Sequence, residues 1–562
     1  MSLKPWKDSV TQVFHPKLLT SIRTYTRDQF VADLIAGIIV GVVALPLAIA
    51  FGIASGVAPE RGLITAVIAG FLISALGGSK VQIGGPTGAF IVIVYGIVEQ
   101  FGVDGLIVAT IMAGVILVIM GVLQLGTLIR FMPYPIIVGF TSGIAIVIFS
   151  SQIKDLFGLQ TSAAVPADFL EKWNFYFLHF DVVNWHALAL GIITVLIIAF
   201  WPKVNKRIPG TLIALLLTTL VTTFWDLPVE TIGSRFGAIS GGLKAPQIPA
   251  ISFDNFRHLL APAFTIAILG AIESLLSAMV ADGATGGRHR SNTELIGQGI
   301  ANIITPLFGG IPATGAIART MTNIRNGGKT PVAGIIHAVV LLLIMLFFGR
   351  YARLIPMSTL AGILVVVAYN MSEWRSFKAL FNNSKSDVAV LLTTFFLTVL
   401  IDLTVAIQFG LLLAVLLFLK RVIETTDVAV LNMEVEAENK ELTDEGDSLQ
   451  IPKGVEVFEV NGPFFFGIAN KFEAAEKLAG DKPKVRIIRL RRVPFIDSTG
   501  LSNLKSFIHR SAHNGIQIVF SGAGSKLVAS LRKAGIIDEV GEENNCVDIQ
   551  SAIERAVHVM KQ

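Results

Sequence analysis

The chain is poor in cysteine and in charge. One of its 562 residues is a cysteine, Cys546, so no internal disulfide framework can hold it together. Charged residues make up 15% against 53% hydrophobic ones, too few to cover a soluble protein of this length. The net charge of +5 suits basic loops beside a lipid bilayer and argues against a nucleic-acid partner. No GxxxxGK[ST] run occurs, which excludes a P-loop ATP-driven pump. His186, His258 and His337 stand alone, without metal-ligand companions, and are read as structural. The start, MSLKPWKDSVTQVFHPKLL, lacks a continuous apolar core ahead of a small-residue cleavage site, so insertion is expected to use the first spanning helix.

What the chain has is long apolar runs. They fall at about 32–55, 62–78, 86–101, 105–127, 133–150, 183–200, 209–226, 258–281, 292–308, 314–326, 331–349, 352–369, 386–402 and 404–422. The expected fold is a polytopic α-helical membrane protein of about 14 segments, followed by a soluble domain. The expected divisions are an amino-terminal segment 1–30, a transmembrane domain 31–423, a linker 424–453 and an α/β domain 454–562. With the amino terminus cytoplasmic, Lys80, Arg130, the basic loops at 203–207, 286–290 and 325–329, and Lys420–Arg421 all fall inside, while Arg350 and Arg353 fall outside. A multi-pass protein of the plasma (inner) membrane with both termini cytoplasmic is the expectation.

Two of the runs are broken in the same way. ALGGSKVQIGGPTGAF (75–90) and LFGGIPATGAIART (307–320) each carry Gly-Gly, then Pro, Thr and Gly, in the third and tenth segments. An odd number of segments per half turns the second half over, predicting inverted seven-segment repeats over about 31–227 and 257–423. Irregular backbone at membrane depth survives only inside protein or against a wet cavity. Pro fits a helix's first turn and Thr can cap it, so two half-helices are predicted to begin near the midplane, their N–H groups and dipoles favouring an anion. The alternative is a pair of closely packed, kinked helices.

Glu273 lies inside APAFTIAILGAIESLLSAMVADG (261–283), where a carboxylate costs at least ~2.5 kcal/mol unless paired, protonated or hydrated. It is a candidate proton carrier, or with Ser277 a Na⁺ ligand, or half of a fixed pair with Arg319. Arg319, four residues past Gly315, is expected to attract the anion, its charge adding to the dipole. Asp33, Glu99, Asp104, Asp282, Glu294 and Asp402 are read as interfacial or loop-pairing acids.

From 454 strand and helix patterns alternate: VEVFEVNGPFFF, helix content at 468–480, VRIIRL, a helix from 499, IQIVF, and KLVASLRKAG, which predicts helices on a mixed sheet. RRVPFIDSTGLSNL runs a strand into Asp497-Ser498-Thr499-Gly500, an N-cap by composition.

DLIAGIIVGVVALPLAIAFGIASGVAPERGLITA (33–66), the two broken segments, AIESLLSAMVADG and FIDSTGL together resemble the SulP (sulfate permease) anion transporters with a carboxy-terminal STAS domain, and among them the bacterial type that carries dicarboxylic acids. The resemblance spans about 30–562. It implies secondary active transport rather than an enzyme, core and gate domains moving in an elevator-like way, and a homodimer. It also implies a substrate that is sulfate, bicarbonate or a dicarboxylate. The implied anion site is Phe51, Gly85, Pro86, Thr87, Gly88, Ala89, Thr314, Gly315, Ala316 and Arg319, with Glu273 and Ser277 coupling H⁺ or Na⁺. No cofactor is implied beyond Na⁺ as a coupling ion. Ser498 matches the serine that is phosphorylated in anti-sigma-factor antagonists of the STAS family and is the candidate here, and the domain's cytoplasmic partner is left open. Leu47 follows Leu45-Pro46 where many eukaryotic members have Gln, which weakens any transfer of their selectivity. Uncoupled exchange, a channel-like path and a regulator centred on the STAS domain are the competing readings.

Overall fold

The computed structural model describes residues 14–127, 132–161, 165–166, 168–205, 209–237, 242, 245–247, 253–401, 403–425, 427–431, 434–436, 448–465, 471–472 and 483–562. It divides into two compact units, Met1–Ala414 and Val415–Gln562.

The first unit is helical. Its helices are α1 (Arg27–Ala54), α2 (Pro59–Leu76), α3 (Ile91–Val122), α4 (Tyr134–Phe157), α5 (Trp185–Val204), α6 (Gly210–Phe224), α7 (Phe253–Thr285), α8 (Ser291–Leu307), α9 (Ile317–Arg325), α10 (Pro331–Phe348), α11 (Met357–Met371), α12 (Lys385–Leu400) and α13 (Leu403–Thr425), the last running into the second unit. Among the described residues eight helices are long and apolar enough to cross a membrane. α3 breaks at Gly102 (φ 69°, ψ −173°), a left-handed backbone that glycine alone adopts without strain, which divides the runs expected at 86–101 and 105–127. Large apolar side chains such as Phe224, Phe347 and Phe418 are exposed, as lipid-facing residues are.

Packing sorts these helices into two groups. α1, α2, α3, α7, α8 and α10 contact one another, and α4 contacts α11 and α12 while α5 contacts α6 and α11. The contact of α3 with α8 is mirrored by that of α10 with α2, as two inverted repeats require. Small residues allow the close approach: a Cβ on Gly114 would stand 2.7 Å from the Gly299 carbonyl oxygen, and one on Gly299 would stand 2.6 Å from that of Gly114.

Three short helices that hydropathy does not announce connect the long ones, Phe169–Leu178, Ile232–Phe236 and Trp374–Leu380. Each is too short for the apolar-run criterion.

The second unit holds a five-stranded sheet. β3 (Asp427–Leu431) pairs antiparallel with β6 (Val455–Asn461), and β7 (Val485–Arg492), β8 (Gln517–Ser521) and β9 (Asn545–Cys546) follow in parallel. The sheet is therefore mixed, as its alternating pattern predicts. Within the stretch 424–453 expected as a linker, DVAVL at 427–431 supplies an edge strand. A two-stranded ribbon, β4 (Glu434–Glu436) and β5 (Ser448–Gln450), also falls in that stretch. Most of the helix expected at 468–480 lies outside the described residues. Phe458, Ile488 and Phe520 face one side of the sheet, against Leu504 and Phe507 of α14 (Ser498–His513); Val457, Ile487 and Val519 face the other, against Ile549, Ala552 and Ala556 of α17 (Ile549–Lys561).

Candidate functional site

Both broken segments end in two-residue strands, β1 (Gly84–Gly85) and β2 (Thr314–Gly315), which pair antiparallel as Gly84 with Gly315 and Gly85 with Thr314. A further backbone bond runs from Ala316 N–H to the Ile83 carbonyl at 2.8 Å. The extended pieces thus satisfy each other's polar groups, the condition for irregular backbone inside an apolar unit. From this ribbon the chain turns into helix twice: at Thr87 into the short 3₁₀ turn Gly88–Phe90 that feeds α3, and at Ala316 into α9. Neither Thr87 nor Ala316 caps its helix with a side-chain bond. The first-turn N–H groups of α9 have no partner within the helix.

Arg319 sits in the first turn of α9, 2% exposed. One guanidinium nitrogen donates to the Pro86 carbonyl, tying the second break to the first. The other, Nη1, is buried and has no hydrogen-bond partner among the described residues. Gly85 faces it: at φ +148° and with a Cβ position 2.5 Å from Nη1, only glycine fits. Across the same junction the Thr87 hydroxyl donates to Glu273 Oε2 at 2.9 Å. Thr314 donates to the Gly270 carbonyl at 2.9 Å, seating β2 on α7 one turn before Glu273. Pro86, Thr87, Gly315, Ala316, Arg319 and Glu273 therefore converge, and Gly88 and Ala89 follow in the turn that begins there. Phe51 is buried near the end of α1, in the apolar core that also holds Ala89 and Phe90.

The geometry bears on two of the alternatives for Glu273. Among the described residues no ion pair joins Glu273 to Arg319, so the fixed pair is not formed; the carboxylate meets Thr87 and the guanidinium meets Pro86. Ser277 is turned to Thr320, 3.2 Å away, and Thr320 in turn accepts from the Ile83 N–H at 3.0 Å. Ser277 thus props the ribbon from behind.

The residues that hold the breaks in place are ones the sequence reading left as interfacial or did not single out. Glu294 is fully buried. It accepts from the Gly78 and Ser79 N–H groups (2.7 and 3.1 Å), from Gln82 Nε2 (3.1 Å), Ser274 Oγ (3.1 Å) and Gln298 Nε2 (3.0 Å). Asn302 brackets Ala313, donating to its carbonyl at 2.8 Å and accepting from its N–H at 2.9 Å. Thr65 accepts from the Ile311 N–H at 2.7 Å. Ser291, Glu294, Gln298, Asn302 and Thr305 form a polar stripe at helical spacing on α8, the signal that marks them in the sequence. Asp33 does pair with a loop, accepting from the Lys329 and Thr330 N–H groups at 2.7 and 3.1 Å.

Outside this site, Ser498 opens α14 on the exposed surface, and Asp497 caps the helix by accepting from the Gly500 N–H at 2.6 Å.

The Sulfate permease family profile matches residues 30–394, and the STAS domain profile matches 448–556. The Bacillus subtilis protein named "Putative sulfate transporter YvdB" is 43% identical over 86% of this chain and 90% of its own. "Bicarbonate transporter BicA" of Synechocystis is 33% identical over 88% of this chain and 89% of its own. Among solved structures, the transmembrane domain of a cyanobacterial bicarbonate transporter BicA superposes with a TM-score of 0.62 at 34% identity, covering 70% of this chain and 98% of that one. The murine Slc26a9 anion transporter in its inward-facing state gives 0.87 over 99% and 96% of the two chains, at 18% identity a likeness of fold. With its paired breaks, its buried arginine and these relatives, the chain belongs to the sulfate permease family of anion transporters and carries a STAS domain.

Proposed function

We propose that the junction of β1, β2 and the two helix starts is the anion seat of a secondary active transporter. The observation that carries this reading is the Nη1 of Arg319, buried without a partner beside two helix N-termini that no side chain caps. A desolvated guanidinium edge and free N–H groups together are a receptor for an oxyanion, and the glycines at 85, 88 and 315 let backbone approach it. Sulfate and bicarbonate, the substrates named for the relatives, both suit such a donor set; a dicarboxylate remains in the tested group.

Glu273 is the coupling group in this reading. It lies at the seat through Thr87, and a carboxyl there exchanges a proton more readily than it holds Na⁺ with Ser277, whose hydroxyl is turned to Thr320. The two packing groups of helices supply the bodies for an elevator-like movement, with the seat on the group that contains α1, α3 and α10. The positive-inside count supports a plasma-membrane protein with both termini cytoplasmic, and the resemblance to the family supports a homodimer. The exposed Ser498 is a candidate for regulatory phosphorylation. The test is uptake of radiolabelled sulfate, bicarbonate and succinate into proteoliposomes with pH or Na⁺ gradients imposed. Uptake of at least one anion that rises with an inward H⁺ gradient supports the reading, and uptake of none refutes it.

A further inference from the structure

A cavity of about 510 Å³ opens at the far end of α1 from the amino terminus. Its walls include Ile53 and Ala54, just past Phe51, and Ile91, Val92 and Tyr95, which lie on the half-helix within about two turns of Gly88. The cavity therefore borders α1, which carries Phe51, and the start of α3, which leads away from the candidate seat. Its charged groups are Glu99 on α3, Lys154 and Asp155 on α4, Arg235 on the short helix Ile232–Phe236, and Asp168 and Lys172 in the connection between α4 and α5.

That connection contains the short helix Phe169–Leu178, and its position is fixed by three contacts. Asp168 caps it, accepting from the Leu170 and Glu171 N–H groups at 2.9 and 3.1 Å. Trp173 Nε1 donates to Ser150 Oγ at 3.0 Å, and Tyr176 is buried with Ile153 and Leu159. So held, Lys172 turns inward. It is 8% exposed, lines the cavity and places Nζ 5.9 Å from the centre of the Tyr95 ring. Among the described residues no hydrogen bond or ion pair reaches its ammonium, and burial pushes its pKa below the ordinary lysine value.

The acids nearby are largely occupied. Asp155 and Glu230 both hold Arg235, with nitrogen–oxygen distances of 2.6 and 2.5 Å, and Asp168 is engaged in its cap. Glu99 and Asp168 act on the Lys172 ammonium through space without touching it, and Lys154 is a further cation on the wall. A desolvated ammonium with no counter-charge in contact gains from an anion more than an exposed lysine does.

Resting on the transporter reading above, we infer that Lys172, with the Tyr95 ring beneath it, forms an outer holding site where a small oxyanion is gathered before it reaches the seat between α3 and α9. It acts on capture from this side and not on the crossing step. The site is distinct from Arg319 and takes the same chemical class, a sulfate- or bicarbonate-sized anion.

The test is zero-trans transport of radiolabelled sulfate and bicarbonate by the full chain in oriented proteoliposomes, for wild type, Lys172→Met and Lys172→Arg. Lys172→Met is expected to raise the KM from the cavity side about 5–10-fold, the scale of one charge-assisted contact, with Vmax and the KM from the opposite side unchanged. Lys172→Arg should restore the wild-type KM. An unchanged KM in Lys172→Met, or equal losses from both sides with no rescue by arginine, overturns the inference. A wild-type protein that moves neither of these anions nor succinate removes the transporter reading and the inference together.

Discussion

A guanidinium in the first turn of a helix adds its charge to the positive end of the dipole and is repelled by it, at a cost of about 0.3–1 kcal/mol even at an exposed site. Arg319 is buried there with Nη1 unpartnered, so an anion bound beside it would offset both costs. Arg319→Gln should weaken anion binding by at least about tenfold, or about 1.4 kcal/mol, while leaving the amount of folded protein in the membrane the same. Undiminished binding in a titration of the purified variant would speak against the seat. Glu273 is tested separately: Glu273→Gln can keep the Thr87 contact but cannot carry a charge. Uptake by that variant should lose its response to an imposed H⁺ gradient, and a wild-type response would remove Glu273 from coupling.

At the level of elements, the two breaks act as one object. β1 and β2 pair across more than two hundred residues of sequence, and Glu294 holds the leg that leads into β1 through five donors from Gly78, Ser79, Gln82, Ser274 and Gln298. Glu294→Ala leaves the Gly78 and Ser79 N–H groups buried without their acceptor and strips Gln82 to its bond with Ser274, so it should destabilise the protein by roughly 2–5 kcal/mol and visibly lower its melting temperature. An unchanged melting curve would mean the network is not what fixes the break. Gly315 faces the Gln82 side chain so closely that any Cβ collides with it.

The breaks were legible as sequence because Gly-Gly, Pro, Thr and Gly are conspicuous in apolar runs, and their matching positions gave the inverted plan. The strand pairing was not legible, since two-residue strands have no periodicity. Nor was Glu294's role, because a single acid near a helix start reads equally as interfacial; only the stripe Ser291, Glu294, Gln298, Asn302 reveals its buried face. The connecting helix bearing Lys172 escaped for a third reason, being short and mixed in polarity. In the second unit the alternation of strands was readable from residue 454, but the edge strand Asp427–Leu431 was hidden by its place at the end of a long helix.

The molecule consists of a helical unit that contains every residue of the proposed seat and a sheet unit that contains none of them. Deleting residues 440–562 should therefore leave some anion uptake, whereas a regulator centred on the STAS domain would lose all activity. The central claim is that the crossing of the two breaks receives the anion, and equilibrium binding of radiolabelled sulfate and bicarbonate to the purified full chain and to Gly315→Val tests it most directly. The account predicts saturable binding of at least one anion by the wild type and its loss in the variant, with the variant inserted and folded. Equal binding by the two proteins would contradict it.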